Sequence, residues 1–445
     1  MLGRPRLLVL ARFALPFLFG LWLFSLTVPH ESAYTRAIGH VEDEKEVFIS
    51  NFLESEIDGG FDGRGIADLC ATKTWTPGLV LSCEPAPGGP GHVKNAHLNC
   101  IRIAIEMGAE LVVPRIVKRH DTQISLTTPY SGAGPVRGEP FDYLFDLDHL
   151  DQSLARFCPQ MKVYRSMDEL YDVPSLQKGT GMSLQVLEVP LLNGSVISDT
   201  SVLSRYIKKY IDHVSPPENR TQPVRFNLGV TNWAFTTSSD SPVFSHQFGR
   251  IIRTRQGARR LSASALHSLQ RRFGFQADPH GQPENNAFVG VHLRTEEDAR
   301  YILPKFETQA RRLLDYIVSS GMKVAYLATG AEEAQIAEFE RMAADLNVTV
   351  VTKKQMLHGD ELRALNALTW DQRALVDYEV MLRAGLVVGP AQSSFSWGLA
   401  LRRSGFSGAS RPAPVVNLTM EWEDGLTTLL GPAVKGPVLR QTIWP

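Results

Sequence analysis

Net charge is almost missing from this 445-residue chain: 46 Lys and Arg stand against 47 Asp and Glu, a formal balance of −1. No whole-molecule field therefore draws it to nucleic acid or to acidic lipid. Cysteine is equally sparse, with only Cys70, Cys83, Cys100 and Cys158, and their spacing fits no zinc pattern. Internal repeats and low-complexity tracts are absent, which excludes a solenoid or a disordered tail. What remains is globular in composition, 43% hydrophobic and 21% charged, and long enough for two α/β domains of ordinary size.

Long apolar runs are also rare, and the exception is at residues 7–28, broken only by Arg12 and Pro16 and preceded by Arg4 and Arg6. About 20 residues cross a bilayer, a length this run reaches when Arg12 snorkels back to the interface. Positive charge ahead of it favours a cytoplasmic N-terminus. Read as an uncleaved anchor, with a cleaved signal peptide as the alternative, the segment places everything after it in the secretory lumen, Golgi or endoplasmic reticulum. An even number of cysteines suits that oxidising compartment, as do four Asn-x-Ser/Thr sites at Asn193, Asn219, Asn347 and Asn417. Four cysteines permit three pairings. Cys70–Cys83 and Cys100–Cys158 are expected: the first closes a short loop before a glycine-rich segment, and the second ties the helix after that segment to one ending near Cys158.

Beyond a polar stem at 29–46, the pattern divides into an N-terminal α/β domain at 47–240, a linking helix and loop at 241–284, and a C-terminal domain at 285–445. In the first, Gly88-Gly89-Pro90-Gly91-His92 leads into helix-period residues from Val93 and then the strand Leu111-Val112-Val113. One long helix is expected over 243–273, with the arginines of 250–272 on its solvated face. From 287 onward strands and helices alternate, with strands at 288–293, 323–328, 348–352, 386–388 and 414–418, the signature of a parallel sheet covered on both faces.

Two segments of the C-terminal domain carry candidate chemistry. The apolar run at 288–293 ends in His292-x-Arg294 and closes with Asp298. An arginine where a strand meets a loop sits at the rim on which open α/β sheets bind ligands, and its rigid fork of donors suits a diphosphate. Gly389-Pro390-Ala391-Gln392-Ser393-Ser394-Phe395 follows a buried strand and opens a helix. Free N–H groups, the helix dipole and paired hydroxyls there make an anion site, though Ser is also an ordinary N-cap. Asp377 lies on the preceding helix, and its carboxylate can accept two hydrogen bonds from a guanine edge.

In this order and spacing, His292-x-Arg294-x-x-x-Asp298, Asp377 and Ser393-Ser394-Phe395 resemble the GDP-fucose-dependent fucosyltransferases, in particular the protein O-fucosyltransferase-like group. The segment from Pro87 to Pro114 looks like that family's glycine-rich loop, helix and strand. The resemblance implies two facing Rossmann-like domains (GT-B type), here behind an N-terminal transmembrane anchor, with GDP-fucose on the C-terminal domain and neither cofactor nor metal. It implies that Arg294 holds the diphosphate and offsets charge on leaving GDP, and that His292 contacts the nucleotide or orients Arg294. Asp298 belongs to the same donor site. Asp377 would read guanine, Ser393 and Ser394 would bind phosphate, and Phe395 would pack beside the nucleotide. Gly89 and Gly91 would face the donor, and a protein or glycan hydroxyl would be the acceptor.

The chain departs from the family where relatives commonly carry Asn after the Gly-x-Gly of the N-terminal loop; here His92 stands, a residue able to act as a base near neutral pH. Gly330 replaces a frequent acid. These departures motivate a second reading, a catalytically silent relative that binds a nucleotide sugar or glycan. A third reading is a metal-dependent transferase built on Asp146-Leu147-Asp148, in which two carboxylates hold a divalent cation. An acidic N-cap and first turn is the simpler account of that motif, since a helix pattern starts directly after it.

Overall fold

Strands buried on both faces alternate with helices in two stretches of the chain, and each stretch builds its own sheet. A computed structural model describes residues 33–57, 59–121, 123–128, 138–182, 191–192, 196–197, 200–216, 222–229, 231, 236–277, 279, 288–406, 419–431 and 439–445. The apolar run at 7–28, the sequons at Asn193, Asn219 and Asn417, and the strand expected at 414–418 lie outside these residues. No described helix is long and apolar enough to cross a membrane. The chain forms two compact units, Met1–Phe48 and Ile49–Pro445; both sheets belong to the second.

The N-terminal half holds β1 (Leu79–Cys83), β2 (Glu110–Val112), a ribbon of β3 (Lys118–Arg119) and β4 (Thr127–Thr128), then β5 (Val163–Tyr164) and β6 (Thr180–Met182). A second ribbon, β7 (Leu191–Leu192) and β8 (Val196–Ile197), and the strand β9 (Val224–Leu228) complete it. Its helices are α1 (Ala33–Glu54), α2 (Arg64–Ala71), α3 (Pro90–Met107), α4 (Leu147–Phe157), α5 (Pro174–Gln177) and α6 (Thr200–Val214). Five strands form a parallel sheet in the order β5-β2-β1-β9-β6. β1 reads Leu-Val-Leu-Ser-Cys and is buried throughout, as a strand covered on both faces requires. Helix α3 starts at Pro90, three residues before the expected Val93, because proline's fixed φ suits a first helical position and its missing N–H costs nothing there.

The C-terminal half begins with α7 (Pro242–Phe248) and α8 (Gln256–Phe273), followed by β10 (Val289–His292), α9 (Phe306–Ser320), β11 (Val324–Ala328), α10 (Glu333–Asp345) and β12 (Thr349–Val351). Helices α11 (Lys353–Met356), α12 (Gly359–Ala367) and α13 (Trp370–Leu382), strand β13 (Leu386–Pro390) and helix α14 (Ser394–Arg403) lead to β14 (Met420–Glu423), β15 (Thr427–Leu430) and α15 (Leu439–Thr442). The sheet order is β12-β11-β10-β13-β15-β14, parallel except for β14. Val289, Val291, Leu327 and Val388 pack with Leu313, Ile317 and Phe339 of α9 and α10 into one buried core. Strand order reverses between β10 and β13, and in the first sheet between β1 and β9. Such switch points are where open α/β sheets bind ligands.

Several expectations need correction. The long helix at 243–273 is two helices, because residues 252–254 leave helical geometry and Thr254 forms a β-bridge with Phe145. The arginines of this stretch are not all solvated. Arg259 is 1% exposed and donates to the carbonyls of Phe52, Leu53 and Ser55, while buried Arg250 donates to those of Gly59 and Gly60. Residues 33–46 of the expected stem are helical, as the start of α1.

The disulfides pair Cys70 with Cys158 and Cys83 with Cys100, at Cα separations of 5.5 and 6.2 Å, not Cys70 with Cys83. The reason lies in the packing: β1 carries Cys83 into the sheet beneath α3, which bears Cys100, while α2 brings Cys70 against α4, whose end Cys158 caps. Peptide mapping without reduction should recover these two cross-links; a Cys70–Cys83 peptide would overturn the pairing. Their spans of 88 and 17 residues imply contributions of about 4.5 and about 3 kcal/mol through chain entropy. Cys70→Ser/Cys158→Ser should therefore lower the denaturation midpoint more than Cys83→Ser/Cys100→Ser.

Candidate functional site

Two helix N-termini meet at the switch points. The glycine-rich loop after β1 opens α3 with Gly89 as N-cap, and the turn after β13 opens α14 with Ser393 as N-cap. A side chain at Gly91 would place its Cβ 3.1 Å from the Ser394 carbonyl, so any larger residue would crowd this approach. His92 lies in the first turn of α3, its N–H bonded to the Gly89 carbonyl at 2.9 Å, rather than capping a helix that starts after it. The hydroxyls of Ser393 and Ser394 have no hydrogen-bond partner among the described residues. Both positive helix ends border a cavity of about 520 Å³, within the range of roughly 300–1,000 Å³ found for small-molecule sites. Gly89, Gly91, His92, His292, Arg294, Asp298, Asp377, Ser393, Ser394 and Phe395 all line it, so the fold brings together every residue singled out for the site.

At the β10 end, His292 is 6% exposed and its Nδ1 lies 2.8 Å from the Ser396 hydroxyl. Burial, and secondarily the charge of Arg294, push its pKa down to about 3; it is a neutral imidazole, unsuited to act as an acid. Phe395 packs against it, ring centroids 4.7 Å apart, and meets Tyr378 edge-on. The backbone of Arg294 is fixed by buried Gln309, whose amide donates to the Arg294 carbonyl at 2.7 Å. Its guanidinium is held by Glu296 at 2.7 Å and Asp298 at 2.6 Å.

Asp298 also accepts from Arg119 of β3, at 3.1 Å, and Arg119 in turn forks onto Asp371 at 2.5 Å. Both arginines lie over the Trp370 indole, at 4.7 Å for Arg119 and 5.4 Å for Arg294. Trp370 and Asp371 open α13, and the N-terminal half grips that turn again through Asp121, which accepts from the Trp370 N–H, and Tyr143, which hydrogen-bonds Thr369. Asp377, two turns further along α13, is 3% exposed. It accepts from Tyr326 at 2.8 Å and from the Lys353 ammonium. Burial pushes its carboxyl above the usual range, against the pull of Lys353.

Sequence reasoning missed Arg119, Lys353, Trp370, Arg373 and Ser396. One signal was present: Thr352-x-x-Gln355 and Thr369-x-x-Gln372 are both reciprocal capping boxes, which mark the helix starts carrying Lys353 and Trp370. Arg119, in a two-residue strand, has no such signature. The Asp146-x-Asp148 pair takes its simpler role. Asp146 caps α4 by accepting from the His149 N–H and pairs with Arg253 at 2.5 Å, while exposed Asp148 pairs with Arg165; neither lines the cavity.

The model of the family described as GDP-fucose protein O-fucosyltransferase matches residues 79–404. The chain belongs to this family. It is accordingly a glycosyltransferase of the GDP-fucose-dependent kind. No curated protein matches it in sequence. Among solved structures it is similar to POFUT1 in complex with GDP-fucose, at 13% identity and a TM-score of 0.44, over 80% of this chain and 99% of that one. It is also similar to the fucosyltransferase NodZ from Bradyrhizobium, at 15% identity and a TM-score of 0.37, over 73% and 91%. The surroundings of Gly330 leave no room for a side chain. A Cβ there would fall 2.6 Å from both the Glu296 carboxylate and the Trp370 indole, and the Gly330 N–H donates to Glu296 at 2.8 Å. The carboxylate of Glu296 occupies the space a side chain would need.

Neutral His292 has a measurable cost at low pH. The unfolded chain takes up a proton below the ordinary value of 6.5, while the folded chain resists until about 3. Stability is therefore complete above pH 6.5 and is lost as pH falls toward 3, by up to about 1.4 kcal/mol per pH unit. His292→Asn should flatten this acid limb in denaturation profiles; parallel profiles for the two proteins would assign the lost stability to other groups.

Proposed function

We propose that the protein transfers fucose from GDP-fucose to a hydroxyl of a protein or glycan, with inversion and without a metal, in the lumen of the secretory pathway. The observation that carries this reading is the convergence of Arg294, two helix N-termini and the unengaged Ser393 and Ser394 hydroxyls on one cavity, in a member of this family. A guanidinium and oriented N–H groups supply the electrostatic stabilisation that a divalent cation supplies elsewhere. The acceptor oxygen attacks the anomeric carbon from the face opposite GDP. The bond from that carbon to the β-phosphate oxygen breaks, the electron pair departs on GDP, and the acceptor proton passes to His92. Two disulfides, the apolar run at 7–28 and the four sequons support the luminal placement, with the run as an anchor.

Turnover is tested by GDP release from GDP-fucose with protein and glycan acceptors, with and without EDTA. Arg294→Ala should lower kcat by about 10²–10³; a near-normal rate would remove its leaving-group role. His92→Ala should lose turnover yet keep GDP affinity, and His92→Asn should be better tolerated if the position serves only to orient the sugar. A normal rate for His92→Ala would remove the proton transfer.

Guanine recognition by Asp377 gives a second measurement. The protein should bind GDP in preference to UDP, because a carboxylate pairs with two guanine donors and only one of uracil. Asp377→Ala should erase that preference, and unchanged GDP binding would take Asp377 out of the site.

The hold of Glu296 and Asp298 on Arg294 favours one other reading, a silent relative in which that arginine stays bound to its own chain. It requires GDP binding with no GDP release from GDP-fucose under any acceptor.

A further inference from the structure

Five cationic side chains line the cavity: Arg119, Arg294, Lys353, Lys354 and Arg373. Four are engaged by carboxylates of the chain itself. Arg119 is bound to Asp371 and Asp298, Arg294 to Glu296 and Asp298, Lys353 to Asp377, and Lys354 to Glu333. Arg373 is different. Its backbone N–H closes the first turn of α13 onto Thr369, but its guanidinium has no hydrogen bond, ion pair or ring contact among the described residues. A cation that lines a cavity without an internal counter-charge is available to an anionic ligand at no cost in broken pairs.

Its position says which part of a ligand it meets. Trp370, Arg373, Ala374 and Asp377 all line the cavity, at the i, i+3, i+4, i+7 spacing of a single helical face. Asp377 stands at one end of this stripe. Trp370, beneath Arg119 and Arg294, stands at the other. With 1.5 Å of rise per residue, the ends are about 10 Å apart along the axis and Arg373 lies about 6 Å from Asp377. A nucleoside diphosphate with its base at Asp377 and its terminal phosphate at Arg294 runs along this face. The phosphate attached to the ribose then falls between the two ends, opposite Arg373.

We infer that Arg373 binds the ribose-linked phosphate of the nucleotide, an assignment that rests on the reading of this cavity as the donor site. The division of labour differs from that of Arg294. The ribose-linked phosphate keeps its charge as the sugar departs, so Arg373 holds ground state and transition state alike and acts on donor affinity. Charge develops on the terminal phosphate, where Arg294 acts on rate.

Calorimetry on the full chain with guanosine, GMP and GDP separates the possibilities. Arg373→Gln should weaken GMP and GDP by about tenfold or more, as loss of a charged hydrogen bond does, and leave guanosine unchanged. Arg373→Lys should recover part of the loss. The donor KM should rise in Arg373→Gln while kcat stays within about twofold, and the melting temperature should not move, because the side chain has no internal partner to lose. An equal loss for guanosine, GMP and GDP would overturn the assignment in favour of contact with the base, and equal GDP affinity in wild type and Arg373→Gln would overturn it outright. If the wild type bound UDP as well as GDP, the donor-site reading itself would fail, and this assignment with it.

Discussion

The buried pair between Arg119 and Asp371 is the constraint on which the site depends. Arg119 comes from a two-residue strand of the N-terminal half, and Asp371 from the first turn of α13 in the C-terminal half. Two desolvated charges hold only where geometry and further hydrogen bonds compensate the loss of water. Here Asp298 completes the set, linking Arg119 to Arg294 in an alternating chain of charge. Removing Arg119 would leave Asp371 buried without its counter-charge and free Asp298 to bind Arg294 alone. The relation of the two sheets and the state of Arg294 are thus set by one network.

Around that network the cavity is polar but nearly compensated. Carboxylates answer most of its cations, and its one buried imidazole at the β10 end carries no charge. The unanswered positive potential comes from backbone N–H groups at the starts of α3 and α14 and from Arg373. A site of this kind attracts an anion without much free side-chain charge and places it by geometry, since helix ends are fixed in direction while long side chains are not.

Much of this was legible in the sequence. Hydrophobic alternation from residue 288 onward located each strand that frames the C-terminal switch point, and the strand-end position of Arg294 and the helix-start position of Ser393 followed from it. The glycine-rich loop was readable for the same reason. What was hidden depended on tertiary pairing. Arg119 has no local signature, and its role exists only because α13 arrives beside it. Arg259 looked solvated in an arginine-rich helix, yet it is enclosed by the carbonyls at the end of α1. The helix expected over 243–273 was broken by a partner far away in sequence, Phe145, which draws Thr254 into extended geometry. Cysteine pairing failed likewise, because proximity along the chain is a poor guide once a strand and its crossover helix have packed.

The Cys83–Cys100 bridge encloses the glycine-rich loop between its two ends: Cys83 closes β1, Cys100 sits in α3, and residues 84–89 lie between that strand and that helix. The loop is therefore a covalent ring rather than an open span. Its conformational freedom is curtailed when the bridge forms, before any ligand arrives, so association has less disorder left to remove at this wall of the cavity. Preorganisation of the recognition surface is thereby tied to oxidation of the chain, and a folding event fixes in advance part of what binding would otherwise have to arrange.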